Sequence, residues 1–252
     1  MSVSLRRIWS LGRAEMMLFW RNRTAVFTAL LLPVATVGFY ASVSPAEGLM
    51  STNAFMLTGV LGFLLLFVVY YNLVSAYVAR REELVLKRLR AGESRDGEIL
   101  AATAVPAVVV TIGQSVIAVA VGALLLDLPV PVNALVLLVG VLGGIVVFTL
   151  LAAASTAFTR NVEFAQISTM PVLLVCMVGS GALVPLEVLP DQVAQVARFV
   201  PLTPVVELIR LGWLGSPDGT FGQSVVPLAI LVAWIVLGTY ALRRWFRWEP
   251  RR

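Results

Sequence analysis

Glu82, Glu83, Lys87, Arg88 and Arg90 fall within nine consecutive residues, and their spacing fits a helix better than a catalytic centre. Glu83 precedes Lys87 by four positions, the favourable order for an ion pair on one helix face. Leu86 and Leu89 share a face, and Gly92 offers a C-terminal stop. The chemistry open to such a short, highly charged amphipathic helix is electrostatic contact with another polypeptide. Sequence spacing alone fits a solvated loop helix equally well.

Other chemistry is hard to assemble. The chain has no histidine, so imidazole acid–base catalysis and histidine-ligated metal sites are excluded. Its one cysteine, Cys176, lies in an apolar run and reads as a packing residue. The one lysine, Lys87, follows no glycine-rich loop, so the chain carries no phosphate cradle of the Walker type. No carboxylate or arginine interrupts the long apolar windows to mark a proton or sodium pathway. If the protein moves cargo uphill, the energy enters through another polypeptide.

The elements that must position these residues are set by composition. Hydrophobic residues make up 59% of the 252 and charged residues only 13%, about half the fraction usual in a soluble domain. Six windows longer than 20 residues carry no charge: 24–46, 48–79, 99–126, 128–159, 164–186 and 219–242. A helix rises about 1.5 Å per residue against a hydrocarbon slab of about 30 Å, so each window can supply one crossing. The reading is an all-α integral membrane protein with a single transmembrane domain over 1–252. Its six transmembrane helices are expected at about 24–43, 54–79, 99–125, 134–158, 166–185 and 223–242.

An even number of spans puts both termini on one side. That side holds 17 of the 19 basic residues, leaving only Arg198 and Arg210 opposite, so the positive-inside rule places both ends in the cytoplasm. A nucleic-acid footprint would not be partitioned by apolar spans in this way, and no nucleic-acid partner is expected. In the leader, 1–23, Leu5, Ile8, Trp9, Gly12, Met16, Phe19 and Trp20 recur at helical steps, with Arg6, Arg7, Ser10 and Arg13 off that stripe. This reads as an interfacial amphipathic helix against membrane lipid, either a simple anchor or a docking element. Its length argues against a cleaved signal peptide.

Between the fifth and sixth spans, 187–218 is too polar to cross. Val193, Val196, Ala197 and Val200 repeat at helical spacing between Pro190 and Pro201, and Pro204 opens a second short helix carrying Glu207 and Arg210, three apart, as an expected ion pair. Irregular backbone at membrane depth needs protein or a water cavity to satisfy it, so Gly179, Gly181, Pro185 and Pro201 are expected to mark an outer gate; an inert cap is the alternative. On the second span, Phe63, Phe67, Tyr70 and Tyr71 form an aromatic stripe with Asn72 beside it, and Met177 lies on the fifth. Such a face suits an amphiphilic cargo, although helix packing explains aromatic stripes as well.

Two stretches carry a family resemblance. The run from Glu82 through Leu84, Leu86, Lys87, Arg88, Leu89 and Arg90 to Ala91 resembles the segment after the second span in permeases of the type-2 ABC exporter family. Here Leu84-Val85 replaces a Gly-Thr pair, and Glu93-Ser94 stands where proline is frequent. Pro185-Leu186-Glu187 with Leu189-Pro190, then Pro201-Leu202-Thr203-Pro204 with Val206, Glu207 and Arg210, is similar to the family's later pattern. With six spans, the resemblance covers essentially the whole chain and is nearest to daunorubicin-resistance-like drug export permeases of bacteria.

That resemblance implies a permease in a bacterial plasma membrane, paired with a second permease and two ATPase subunits. It implies alternating access, in which ATPase closure pushes on a coupling helix over about 81–91 through Glu82, Glu83, Lys87, Arg88 and Arg90. No cofactor is expected in this chain; ATP and magnesium belong to the partner. A stand-alone secondary transporter or channel is the rival reading, and an integral-membrane lipid-modifying enzyme the third. Drug, antibiotic, lipid and polysaccharide cargo share this architecture.

Overall fold

The computed structural model describes residues 52–82, 96–126, 130–183, 186–216 and 219–245, together with 10, 12–14, 16–18, 20, 21, 23, 27 and 31. The predicted span over 24–43 lies outside the described residues apart from Phe27 and Leu31. Glu83, Lys87, Arg88, Arg90 and Pro185 lie outside them too. The chain is an all-α integral membrane protein, with no strand among the described residues.

Among the described residues, five helices are long and apolar enough to cross a bilayer: Ala54–Glu82, Gly97–Val121, Ala134–Ser155, Val162–Gly179 and Thr220–Trp245. The first of these is built from α1 (Thr52–Leu64), a π-helical segment (Leu65–Tyr71) and α2 (Asn72–Glu82). Then follow α3 (Asp96–Leu126), α4 (Ala134–Ser155), α5 (Val162–Ser168) and α6 (Met170–Gly179). After a 3₁₀ turn at Leu186–Val188 come α7 (Asp191–Ala197), α8 (Thr203–Leu214) and α9 (Thr220–Trp245).

Capping explains several boundaries. Asn133 accepts from the Val136 amide at 3.2 Å to start α4, and Asn161 accepts from the Phe164 amide at 2.8 Å to start α5. Gly215, at φ 72°, closes α8, where its amide bonds the Leu211 carbonyl.

The helix 54–82 is the most buried of the five and forms the axis of the core. Outward faces elsewhere stay apolar, with Leu138, Leu142 and Val146 of α4 and Val225, Val232 and Val236 of α9 exposed, as lipid-facing surfaces must be. Helix α8 packs deeply against α4. A Cβ on Gly212 would stand 2.4 Å from the Leu137 amide nitrogen, one on Gly140 3.1 Å from that of Ile209, and one on Gly144 2.8 Å from a Val205 methyl. These small residues let the backbones approach, and they run α8 antiparallel to α4 as far as α4's midpoint. Gly140 and Gly144 are therefore the floor on which α8 packs.

In the leader, Gly12 is buried with its Cα facing Val105 of α3, and a Cβ there would stand 2.8 Å from a Val105 methyl. Arg13, Met17, Leu18 and Trp20 are exposed.

Candidate functional site

The aromatic row on the central helix is divided by its winding. Phe63 and Phe67 stack with centroids 5.1 Å apart, and Phe67 meets Tyr71 at 6.5 Å, all three half-buried. Tyr70 turns away. It is fully buried, edge-on to Phe148 at 6.3 Å, with its hydroxyl 3.0 Å from the Ser155 Oγ. The π segment accounts for this, because its i→i+5 bonding inserts a residue into the turn and rotates Tyr70 off the stripe. Asn72, just beyond, is exposed, and Met177 of α6 is half-buried.

One end of the bundle is closed by the hairpin of α7 and α8. The turn between them sits at depth: Trp234, well inside α9, donates its indole N–H to the Phe199 carbonyl at 3.0 Å. Thr203 donates its hydroxyl to the Ala197 carbonyl at 2.6 Å and reaches the Gly179 carbonyl at 3.3 Å, linking the hairpin to the end of α6. Pro201 is half-buried in that turn. Thus backbone that cannot be helical is satisfied by side chains of its neighbours, as irregular chain within a membrane protein requires.

Arg210 holds the hairpin shut. Its Nε donates to the Thr58 Oγ1 at 3.1 Å, its Nη2 to the Gly181 carbonyl at 2.6 Å, and its guanidinium carbon stands 4.3 Å from the Phe55 ring centroid. Gly181 presents that carbonyl from a left-handed conformation at φ 73°, which glycine adopts without strain. One guanidinium thus joins α8, the end of α6 and the start of α1. Glu207, one turn earlier on α8, is half-buried.

The opposite end carries a second arginine junction. Arg81, in the last turn of α2, is 1% exposed. Its Nη1 donates to the Thr156 carbonyl at 2.9 Å, and its Nη2 reaches the carbonyls of Thr159 and, at 3.3 Å, Arg160. These carbonyls follow the C-terminus of α4, where the helix dipole favours a cation. The receiving turn is itself knitted, since the Thr159 Oγ1 bonds the Ser155 carbonyl at 3.0 Å and lies 2.9 Å from the Ser168 Oγ. Tyr77, one turn before Arg81 and fully buried, donates to the Leu100 carbonyl of α3 at 3.0 Å.

The sequence places Arg81 among the 17 basic residues of the cytoplasmic side and at the start of the charged helix over about 81–91; the structure keeps it inside α2 and buries it. Of the predicted coupling residues only Glu82 is described, exposed at the end of α2. Thr58, Phe55, Thr156 and Thr159 carried no sequence signal.

Residues 6–213 match the family described as ABC-2 type transporter. No curated protein matches the chain.

Proposed function

The chain belongs to the ABC-2 type transporter family, and from that premise we propose that it is the permease of an exporter carrying an amphiphilic cargo outward across a bacterial plasma membrane. Family membership makes it a multi-pass membrane transport subunit that pairs with an ATP-binding subunit rather than hydrolysing ATP itself. In the proposed assembly two permeases face one another over two such subunits, which hold the ATP and magnesium. Both termini and the 80–98 connection face the cytoplasm, and Glu82, Glu83, Lys87, Arg88 and Arg90 meet the ATP-binding subunit.

The observation that carries this reading is the hairpin of α7 and α8 pinned to the central helix through Arg210. A plug that enters from one side, is tied to its neighbours by side-chain bonds from Arg210, Thr203 and Trp234 and sits against the most buried helix suits an outer gate. Gly179, Gly181, Pro185, Pro201, Glu207 and Arg210 belong to that gate. Phe63, Phe67 and Tyr71, with Asn72 and Met177, offer the amphiphilic lining. In alternating access, closure of the ATP-binding subunits tilts the helices and withdraws the hairpin.

Reconstitution in vesicles tests this. The chain with its ATP-binding subunit should show ATP hydrolysis stimulated by a fluorescent anthracycline and export of that probe. Charge reversal at Lys87 and Arg88 should remove the stimulation without affecting insertion. Accumulation of the probe by the chain alone, driven by an ion gradient, would overturn the proposal in favour of a secondary transporter.

A further inference from the structure

Arg81 is the least expected charge in the molecule. It is buried, and its Nη1 and Nη2 donate to backbone carbonyls of one turn, those of Thr156, Thr159 and Arg160, some 75 to 79 positions away. Burying a guanidinium costs several kcal/mol, and the carbonyls that Nη1 and Nη2 reach offset part of that cost. Two of its nitrogens reach separate carbonyls at once, a task for a planar fork and not for an ammonium point charge. Nearby, Tyr77 ties α2 to α3 and Tyr70 ties the π segment to Ser155. The Arg81 end of the central helix is therefore bonded to α3, to α4 and to the turn leading into α5.

We infer that Arg81 is a positioning residue for transport: it locks the last turn of α2 to the 156–160 turn, so that force arriving at the adjoining 80–98 connection moves α2, α4 and the start of α5 as one body. This rests on the proposed role of that connection in contacting the ATP-binding subunit. Its physical content is that the junction is stiff where the drive enters. The Thr159–Ser168 contact carries the constraint on into α5.

The test uses the reconstituted complex with its ATP-binding subunit and a fluorescent anthracycline as probe. In Arg81→Lys the charge remains but the fork is lost. Affinity for the ATP-binding subunit and probe-free hydrolysis should stay near the parent's values. Probe moved per ATP should fall about tenfold, the ratio that one charged hydrogen bond supports. Unchanged transport per ATP in this variant overturns the inference. A second measurement holds even if Arg81→Lys does not assemble. Spin labels at Arg80→Cys and Arg160→Cys, in a Cys176→Ser background with Arg81 intact, should report one narrow distance that ATP leaves unchanged. A distance that shifts on adding ATP shows that the two turns move separately and overturns the inference. If instead the unmodified chain neither binds nor stimulates an ATP-binding subunit, it is the proposed function that fails.

Discussion

The Nε of Arg210 donates to the hydroxyl of Thr58 at 3.1 Å, across 152 positions of sequence. This bond closes the α8 hairpin onto the start of the central helix, and the Gly181 carbonyl and the Phe55 ring complete the socket. Thr58→Val should remove one acceptor from a charged donor, costing about 1.5 kcal/mol, and Arg210→Ala should cost more by losing the carbonyl bond and the ring contact as well. Thermal unfolding of the purified complex checks the order. If the hairpin is a gate, Arg210→Ala should also raise probe leak from vesicles without ATP, whereas a lid with no gating role would lose stability and leak no more than the parent.

The α4–α8 contact predicts a sharp ranking of glycine substitutions. At Gly212 a new Cβ meets Leu137 backbone at 2.4 Å, which cannot yield without separating the helices. At Gly143 the nearest atom, also at 2.4 Å, is the tip of the Leu231 side chain, which can rotate. Around Gly113 nothing lies within 4 Å. Gly212→Ala should therefore abolish folded protein, Gly143→Ala should cost about 1–3 kcal/mol, and Gly113→Ala should be neutral or stabilising by up to about 1 kcal/mol. Yield of monodisperse protein and its melting temperature report the ranking, and a tolerated Gly212→Ala would refute the close packing.

Much of this architecture was legible because its driving forces are periodic or cumulative. Charge-free windows find crossing helices, since each buried charge would be expensive in hydrocarbon. Pro201 and Pro204 announce the hairpin turn, since proline cannot continue a helix interior. The two arginine junctions were illegible for the opposite reason. Arg81 donates to three carbonyls and Arg210 to one, and every residue has a carbonyl, so the acceptors at Thr156, Thr159 and Gly181 leave no mark in residue type. Tyr70 misled because a stripe drawn at α-helical spacing fails across the π segment Leu65–Tyr71.

That winding makes Tyr70 and Phe67 separable by experiment. Tyr70→Phe should lose only the hydroxyl contact to Ser155, at a cost of about 1 kcal/mol, while its ring keeps its edge contact with Phe148. Probe-stimulated hydrolysis should keep the parent's half-saturating concentration. Phe67→Ala, on the half-buried row with Phe63 and Tyr71, should raise that concentration severalfold. Equal effects from both substitutions would mean that the row is packing rather than lining.

Cys176 supplies a native reporter of hairpin movement. It is the only thiol in the chain, it is fully buried, and it lies beside the backbone of Leu202, in the turn between α7 and α8. A maleimide can reach it only if that turn withdraws or the bundle opens, so labelling of the resting complex should be slow and should track rare local opening. Under ATP turnover with probe present the rate should rise if each cycle withdraws the hairpin as proposed. Arg210→Ala should raise it without ATP, since the same turn is then held by Thr203 and Trp234 alone among the side-chain contacts described above. Mass spectrometry of the intact chain follows both rates. Labelling that stays slow while the complex exports probe would mean that Leu202 never leaves Cys176, and the outward path would then have to run beside a static hairpin.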